Sequence, residues 1–247
     1  MTPVPEKSYG RRRPAGPILS HPTGKLSSVP KTQYYTATTI DGYIADPDNS
    51  LEWLFAVDDG QTAESGGDGQ AAESGGDGRA DASGGDGRAD ESGATPFGTF
   101  FAEVGAFVMG STTYEWVLEH DKLLETPAKW QEYYQDVPAW VFTHRELPPI
   151  PGAALTFVRG DVRPVHAAMT AAAGGRNLWV VGGGELAGAF ADAGLLDELI
   201  LGVAPATLGA GAPLLPRRLT SSRLTLTSVA QRGQFAYLTY SLGAPKP

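Results

Sequence analysis

Two stretches of this chain place glycine where a strand gives way to a helix. In Trp179-Val180-Val181-Gly182-Gly183-Gly184-Glu185-Leu186, three glycines separate an apolar run from a helical pattern. In Val108-Met109-Gly110-Ser111-Thr112-Thr113, one glycine is followed by three hydroxyl side chains. A helix N-terminus offers unpaired N–H groups and the positive end of the helix dipole, and glycine lacks the Cβ that would hold a phosphate off. Thr112 and Thr113 can cap the helix or bind phosphate oxygens. Either turn alone is ordinary turn chemistry. Two in one sheet fit a ligand with a pyrophosphate and a further phosphate, which is to say a dinucleotide.

Established phosphate motifs narrow the choice. Gly182-x-Gly184-x-x-Ala187 fits the relaxed dinucleotide fingerprint, but that motif opens the first strand-helix unit and takes an acid about 20 residues on. Here the following strand ends in Val203-Ala204-Pro205, without an acid. The motif G-x-x-x-x-G-K-[ST] is absent, which leaves ATP or GTP hydrolysis without support. The sequence contains no cysteine, so thiolate metal sites and disulfides are excluded, and no metal is expected. His21, His120 and His166 lack ligand spacing and read as surface residues, and His144 sits at a strand end. Trp116, Trp130, Trp140 and Trp179 read as core or interface.

The turns need a sheet to hold them. Strands are expected at Gln33–Thr39, Ala106–Met109, Ala139–Thr143, Leu155–Arg159, Leu178–Val181 and Glu198–Ala204. Helical patterns fall at Phe97–Val104, Thr112–His120, Pro127–Tyr134, Val162–Ala173 and Glu185–Ala193. Two last strands, Arg223–Ala230 and Gln234–Ser241, are joined at Gln231-Arg232-Gly233. Short apolar strands alternating with helices predict an α/β fold in three layers, α/β/α. Its central sheet is mostly parallel and ends in an antiparallel C-terminal hairpin. Ligands belong at the carboxyl ends of such strands.

Two segments stand apart. Residues 1–31 are rich in proline and basic, and read as a disordered tail. Residues 60–94 carry Glu64-Ser65-Gly66-Gly67-Asp68-Gly69 and repeat it every nine residues. The period resembles that of the calcium-binding β-roll, but the large apolar residue each turn would bury is Ala, Ser, Asp or Glu here. A disordered acidic insertion into a single domain, 32–243, is the expectation. Ten acids against two arginines between Asp58 and Ser92 account for most of the net charge of -9. No basic stripe remains, so nucleic acid is not an expected partner. No run approaches the roughly 20 apolar residues of a membrane helix, and Arg11-Arg12-Arg13 is not followed by the apolar segment of an export signal. A cytoplasmic protein is expected.

Five motifs in order carry a resemblance: Thr39-Ile40-Asp41-Gly42-Tyr43-Ile44-Ala45, Met109-Gly110-Ser111-Thr112-Thr113-Tyr114-Glu115, Val181-Gly182-Gly183-Gly184-Glu185-Leu186, Gly194-Leu195-Leu196-Asp197-Glu198-Leu199 and Pro205-Ala206-Thr207-Leu208-Gly209-Ala210-Gly211. Together they resemble the dihydrofolate reductase superfamily, in the branch of the C-terminal reductase domain of the bacterial riboflavin deaminase-reductase. The resemblance implies an NADP(H)-dependent reductase acting on a small-molecule substrate such as 5-amino-6-(5-phosphoribosylamino)uracil, and a homodimer. It implies that Ala37 and Ile44 present backbone to the nicotinamide. Gly110, Ser111, Thr112 and Thr113 would hold one side of the pyrophosphate, and Val181, Gly182, Gly183, Gly184, Glu185 and Leu186 the other. Thr143, His144 and Arg145 would lie by the 2'-phosphate, with Arg145 replacing the arginine that members carry where this chain has Ser111. Asp41 and Trp53 match positions near the substrate. Asp41 is the candidate polar or proton-relaying residue, or equally a plain Asp-Gly turn residue.

No acid lies between Ala94 and Phe101, where folate-reducing members place a carboxylate, which counts against dihydrofolate. The deaminase half of the bifunctional relatives needs a P-C-x-x-C zinc site, which a chain without cysteine cannot build. A reductase of the same fold on another substrate, such as a pterin-like one, and a non-catalytic nucleotide-binding module remain alternatives. Deleting Gln61–Ser92 is expected to leave the thermal midpoint unchanged, because a coreless loop contributes little to stability. A large loss in a melting experiment would show instead that the repeat packs.

Overall fold

The computed structural model describes residues 29–57 and 97–244. The expected tail and insertion fall almost wholly outside these residues. At the last position of that tail, Lys31 donates from Nζ to Glu198 at 2.8 Å and from its backbone to Asn177 at 2.9 Å.

The centre of the sheet is β1 (Thr32–Thr39), with β6 (Asn177–Gly182) and β7 (Glu198–Ala204) parallel on either side. Outward from β6 run β3 (Val104–Gly110), β4 (Ala139–Phe142) and β5 (Leu155–Val158), all parallel. Outward from β7, β10 (Phe235–Leu242) and β9 (Leu224–Arg232) pair antiparallel, giving the order β5-β4-β3-β6-β1-β7-β10-β9. The mostly parallel sheet with an antiparallel end is as expected.

The layers follow from burial on both faces. On one side Tyr34, Val108, Val180 and Leu199 pack under α5 (Val162–Ala172) and α6 (Gly184–Asp192). On the other, Phe107, Met109, Val141 and Trp179 pack under α2 (Phe97–Ala102), α3 (Ser111–His120) and α4 (Ala128–Tyr134). Strand β3 is buried from Val104 through Met109, as a strand covered on both faces must be. Trp130, Trp140 and Trp179 are buried, while Trp116 is half-buried. Trp179 stacks edgewise on Phe97, Phe100 and Phe101 and donates from Nε1 to the Tyr35 carbonyl at 3.1 Å.

The structure corrects several boundaries. Helix α2 stops at Ala102, and β3 begins at Val104 rather than Ala106, because Asn177 bonds the Glu103 carbonyl and starts the β3–β6 ladder there. A buried apolar run does not by itself distinguish strand from helix. Helix α3 starts one residue early, at Ser111. The hairpin turn is Gly233-Gln234, since Arg232 pairs with Phe235, and Gly233 supplies the positive φ (51°) at the first central position. His166 is half-buried rather than at the surface, with Nε2 2.9 Å from Thr32 Oγ1. Three short elements carry too few residues for a pattern to show: β2 (Tyr43–Ala45), α1 (Glu52–Phe55) and β8 (Ala212–Pro213).

One glycine fixes how closely a helix seats on the sheet. A Cβ on Gly105 would lie 2.2 Å from the carbonyl oxygen of Ala173, which caps the end of α5. Gly105→Ala is therefore expected to cost about 3 kcal/mol, the upper part of the overpacking range, because the obstacle is backbone. A denaturant midpoint matching wild type would contradict this seating.

Candidate functional site

The two glycine turns lie side by side at the carboxyl ends of the adjacent strands β3 and β6. Gly110 closes β3 and precedes α3; Gly182 closes β6, and Gly183 precedes α6. The Gly182–Gly183 peptide is cis. A Cβ built on Gly110 would sit 3.7 Å from both the Gly182 oxygen and the Gly183 nitrogen, and Thr113 Oγ1 lies 3.1 Å from where a Gly182 Cβ would be. The register between β3 and β6 slips at this end: Val108 faces Val180 but Met109 faces Gly182, leaving Val181 over. Such a bulge re-aims the strand end.

Neither α3 nor α6 has a side-chain cap at its N-terminus. By contrast Asp161 caps α5, accepting from the Arg163 backbone at 3.0 Å. The first-turn N–H groups of α3 and α6, which include Thr112, Thr113, Glu185 and Leu186, thus lack the usual side-chain acceptor, and they share one end of the sheet.

A strap of chain closes the other side of the α6 turn. Strand β8 pairs with β2, and Leu214 donates its N–H to the Gly42 carbonyl at 2.8 Å. A Cβ on Gly184 would meet the Pro213 oxygen at 2.2 Å and the Leu214 oxygen at 2.5 Å, so only glycine lets the strap touch the helix. The Leu214 carbonyl also accepts from the Tyr34 hydroxyl at 3.1 Å. A Cβ on Gly183, in contrast, would meet nothing nearer than Ile44 Cδ1 at 3.8 Å. Ile44, on β2, therefore lies beside Gly183, and Ala37 lies on β1 opposite Gly202.

Asp41 anchors the strap. Its carboxylate accepts from Gly209 N at 2.7 Å, from Leu208 N at 3.0 Å and from Thr39 Oγ1. The Thr39 hydroxyl first, then these backbone donors, hold its pKa below the usual carboxylate range. Asp41 sits in the Asp-Gly turn that its sequence suggests, as an exposed carboxylate that clamps the loop after β7.

The remaining expected residues are distributed around this core. Thr143 follows β4 and forms a local turn with Arg145. Arg145 reaches back to α3, making two hydrogen bonds to the Glu115 carboxylate, one of 2.8 Å. His144 is exposed on the same loop. His144-Arg145-Glu146 has H-x-E spacing, but there is no cysteine to complete a zinc site. Trp53 lies on α1, which rests on α3 through Phe55 stacked on Trp116 and His120. The buried Nε1 of Trp53 and the buried hydroxyl of Thr99 on α2 have no hydrogen-bond partner among the described residues.

Among the groups missed from the sequence is Arg217, just beyond the strap, which binds Glu185 and Asp192 of α6. No local pattern marks it, since its partners are 32 and 25 residues away. The Pro213 and Leu214 carbonyls were missed for the same reason, although Gly184 marks a close approach.

A family model, the RibD C-terminal domain, matches residues 30–237. The chain belongs to that family. The uncharacterized protein YwjB of Bacillus subtilis (strain 168) is 29% identical over 210 residues, covering 85% of this chain and 97% of that protein. Among solved structures, a putative riboflavin biosynthesis protein from Shewanella sp. PV-4 superposes with a TM-score of 0.59 at 21% identity, covering 86% of this chain and 99% of that one. That likeness shows the fold. Among the described residues no helix is long and apolar enough to cross a membrane.

The clamp made by Asp41 gives a pH signature. A depressed folded pKa contributes stability that is fully present above the unfolded value of about 3.9 and is lost as pH falls through the folded one. Asp41→Asn is expected to melt below wild type at pH 7, with the gap closing as pH drops below about 4. Equal melting curves at pH 7 would contradict the clamp.

Proposed function

We propose that this member of the RibD C-terminal domain family is an NADPH-dependent reductase acting on a small heterocyclic substrate. The observation that carries the reading is the pair of uncapped helix N-termini meeting at Gly110 and Gly182–Gly183. A Cβ would meet nothing nearer than 3.7 Å at Gly110 and 3.8 Å at Gly183 but would overlap backbone at Gly184, a pattern that suits a cradle packed on one side only. Such a cradle fits an anion that spans both turns, as a pyrophosphate does.

In this reading the N–H groups of Thr112 and Thr113 hold one phosphoryl group and those of Glu185 and Leu186 the other. Ala37 and Ile44 border the nicotinamide. Arg145, with Thr143 and His144 on its loop, would read the 2'-phosphate, since a planar guanidinium suits phosphate as well as it suits the Glu115 carboxylate that it now binds. When bound, the dinucleotide supplies the hydride, and the protein supplies orientation and exclusion of water. The strap and β2 fix Ile44 and the loop around Asp41 in place.

Helix α1 carries Glu52 and helix α2 no acid, and among the described residues the buried Trp53 N–H and Thr99 hydroxyl lack a partner. The substrate in this reading is an uncharged heterocycle that both donates and accepts hydrogen bonds, as the uracil ring of 5-amino-6-(5-phosphoribosylamino)uracil does. A related heterocycle reduced on the same fold is the second reading. The acid-free α2 supports it equally.

NADPH at 100 times its dissociation constant is expected to stabilise the fold by about 2.7 kcal/mol, raising the melting temperature by roughly 5 °C or more. Gly183→Val is expected to keep the fold, because its Cβ would meet only Ile44 Cδ1, at an ordinary contact distance of 3.8 Å, and to abolish that shift. No shift in wild type with NADPH or NADH at millimolar concentration would sink the reading. Oxidation of NADPH by the ribosylamino-uracil would then separate the first substrate from the second.

A further inference from the structure

The first turn of α3 contains no acid, but that of α6 contains Glu185. A carboxylate there favours the helix in isolation, yet it competes with any anion for the field of the same N–H groups. Arg217 answers that charge. Its Nη1 lies 2.9 Å from Glu185 Oε2, and its Nε lies 2.6 Å from Asp192 Oδ2 at the far end of α6. Between the two acids the guanidinium lies flat on the helix, since a Cβ at Gly188 would fall 2.7 Å from Arg217 Cζ.

The cation is the more sheltered partner: the Arg217 side chain is 25% exposed, against 75% for Glu185 and 56% for Asp192. The strap that leads to it is held independently of the ion pairs, by β2–β8 pairing and the contact of Gly184 with Pro213 and Leu214. With Asp192 holding Nε, Arg217 keeps its place whether or not residue 185 is charged.

We propose that Arg217 is a positioning residue that neutralises Glu185 and so keeps the α6 N-terminus able to receive an anionic ligand. The proposal rests on the dinucleotide reading above. It differs from a purely structural role for the ion pair in the sign of one effect. If the pair merely held the strap, removing Glu185 would harm the cradle as much as removing Arg217. If Arg217 neutralises Glu185, removing Glu185 helps.

The test is a fluorescence titration of NADPH into wild type, Arg217→Met, Glu185→Gln and the double variant, at about 50 and 500 mM salt. Arg217→Met is expected to weaken binding about tenfold at low salt, with the ratio to wild type shrinking at high salt as the exposed Glu185 is screened. Glu185→Gln is expected to tighten binding about threefold at low salt, and the double variant to return within about twofold of wild type. Wild-type affinity in Arg217→Met overturns the proposal while leaving the dinucleotide reading intact. So does weakening in Glu185→Gln that the double variant retains, and this variant decides the matter even if Arg217→Met folds poorly. No NADPH binding by wild type overturns both.

Discussion

The backbone of Pro213 and Leu214 occupies the space where any side chain on residue 184 would have to stand. This contact joins two parts of the molecule that the sheet alone does not hold together: the N-terminus of α6 and the strap that follows β7. Without a Cβ in the way, the helix starts against the strap, and the face of the turn at Gly183 is left towards Ile44. The same glycine run thus meets two opposite demands, tight packing against backbone at Gly184 and looser contact with the Ile44 side chain at Gly183.

The strap extends the effect across the site. Asp41 binds the amides of Leu208 and Gly209, Gly42 binds Leu214, and Gly211 lies so close to Ala45 that a Cβ would come within 2.1 Å of its carbonyl oxygen. The loop around Asp41 and the turn at Gly182–Gly184 therefore share one support. A substitution in either is felt at the other through packed backbone, which adjusts far less readily than the end of a flexible side chain. Charge follows the same plan. On each of the two helices a glutamate is paired by an arginine from a neighbouring loop, Glu115 midway along α3 by Arg145 and Glu185 in the first turn of α6 by Arg217.

The sheet was legible in the sequence because its cause is local. Strands such as Ala106–Met109 and Leu178–Val181 are unbroken apolar runs, and helices such as α5 show a one-sided apolar pattern that burial on one face requires. The glycine turns were legible as well, since a glycine between such elements marks a backbone that must come close to something. What that something is was not legible. Gly184 meets residues about 30 positions later, and Arg217 meets α6 over a similar distance, so neither contact leaves a short-range pattern. Asp41 shows the limit from the other side: Asp-Gly reads as a turn, and the turn is real, but its carboxylate is directed to amides contributed by a motif far along the chain.

Two helix N-termini acting together on one ligand is the central claim, and backbone hydrogen exchange with and without saturating NADPH tests it most directly. Amides at 112–113 and at 185–186 should slow together on addition of NADPH, with little change at the capped start of α5 around Arg163. Protection at one turn without the other, or binding that leaves both turns exchanging as before, would contradict the clamp.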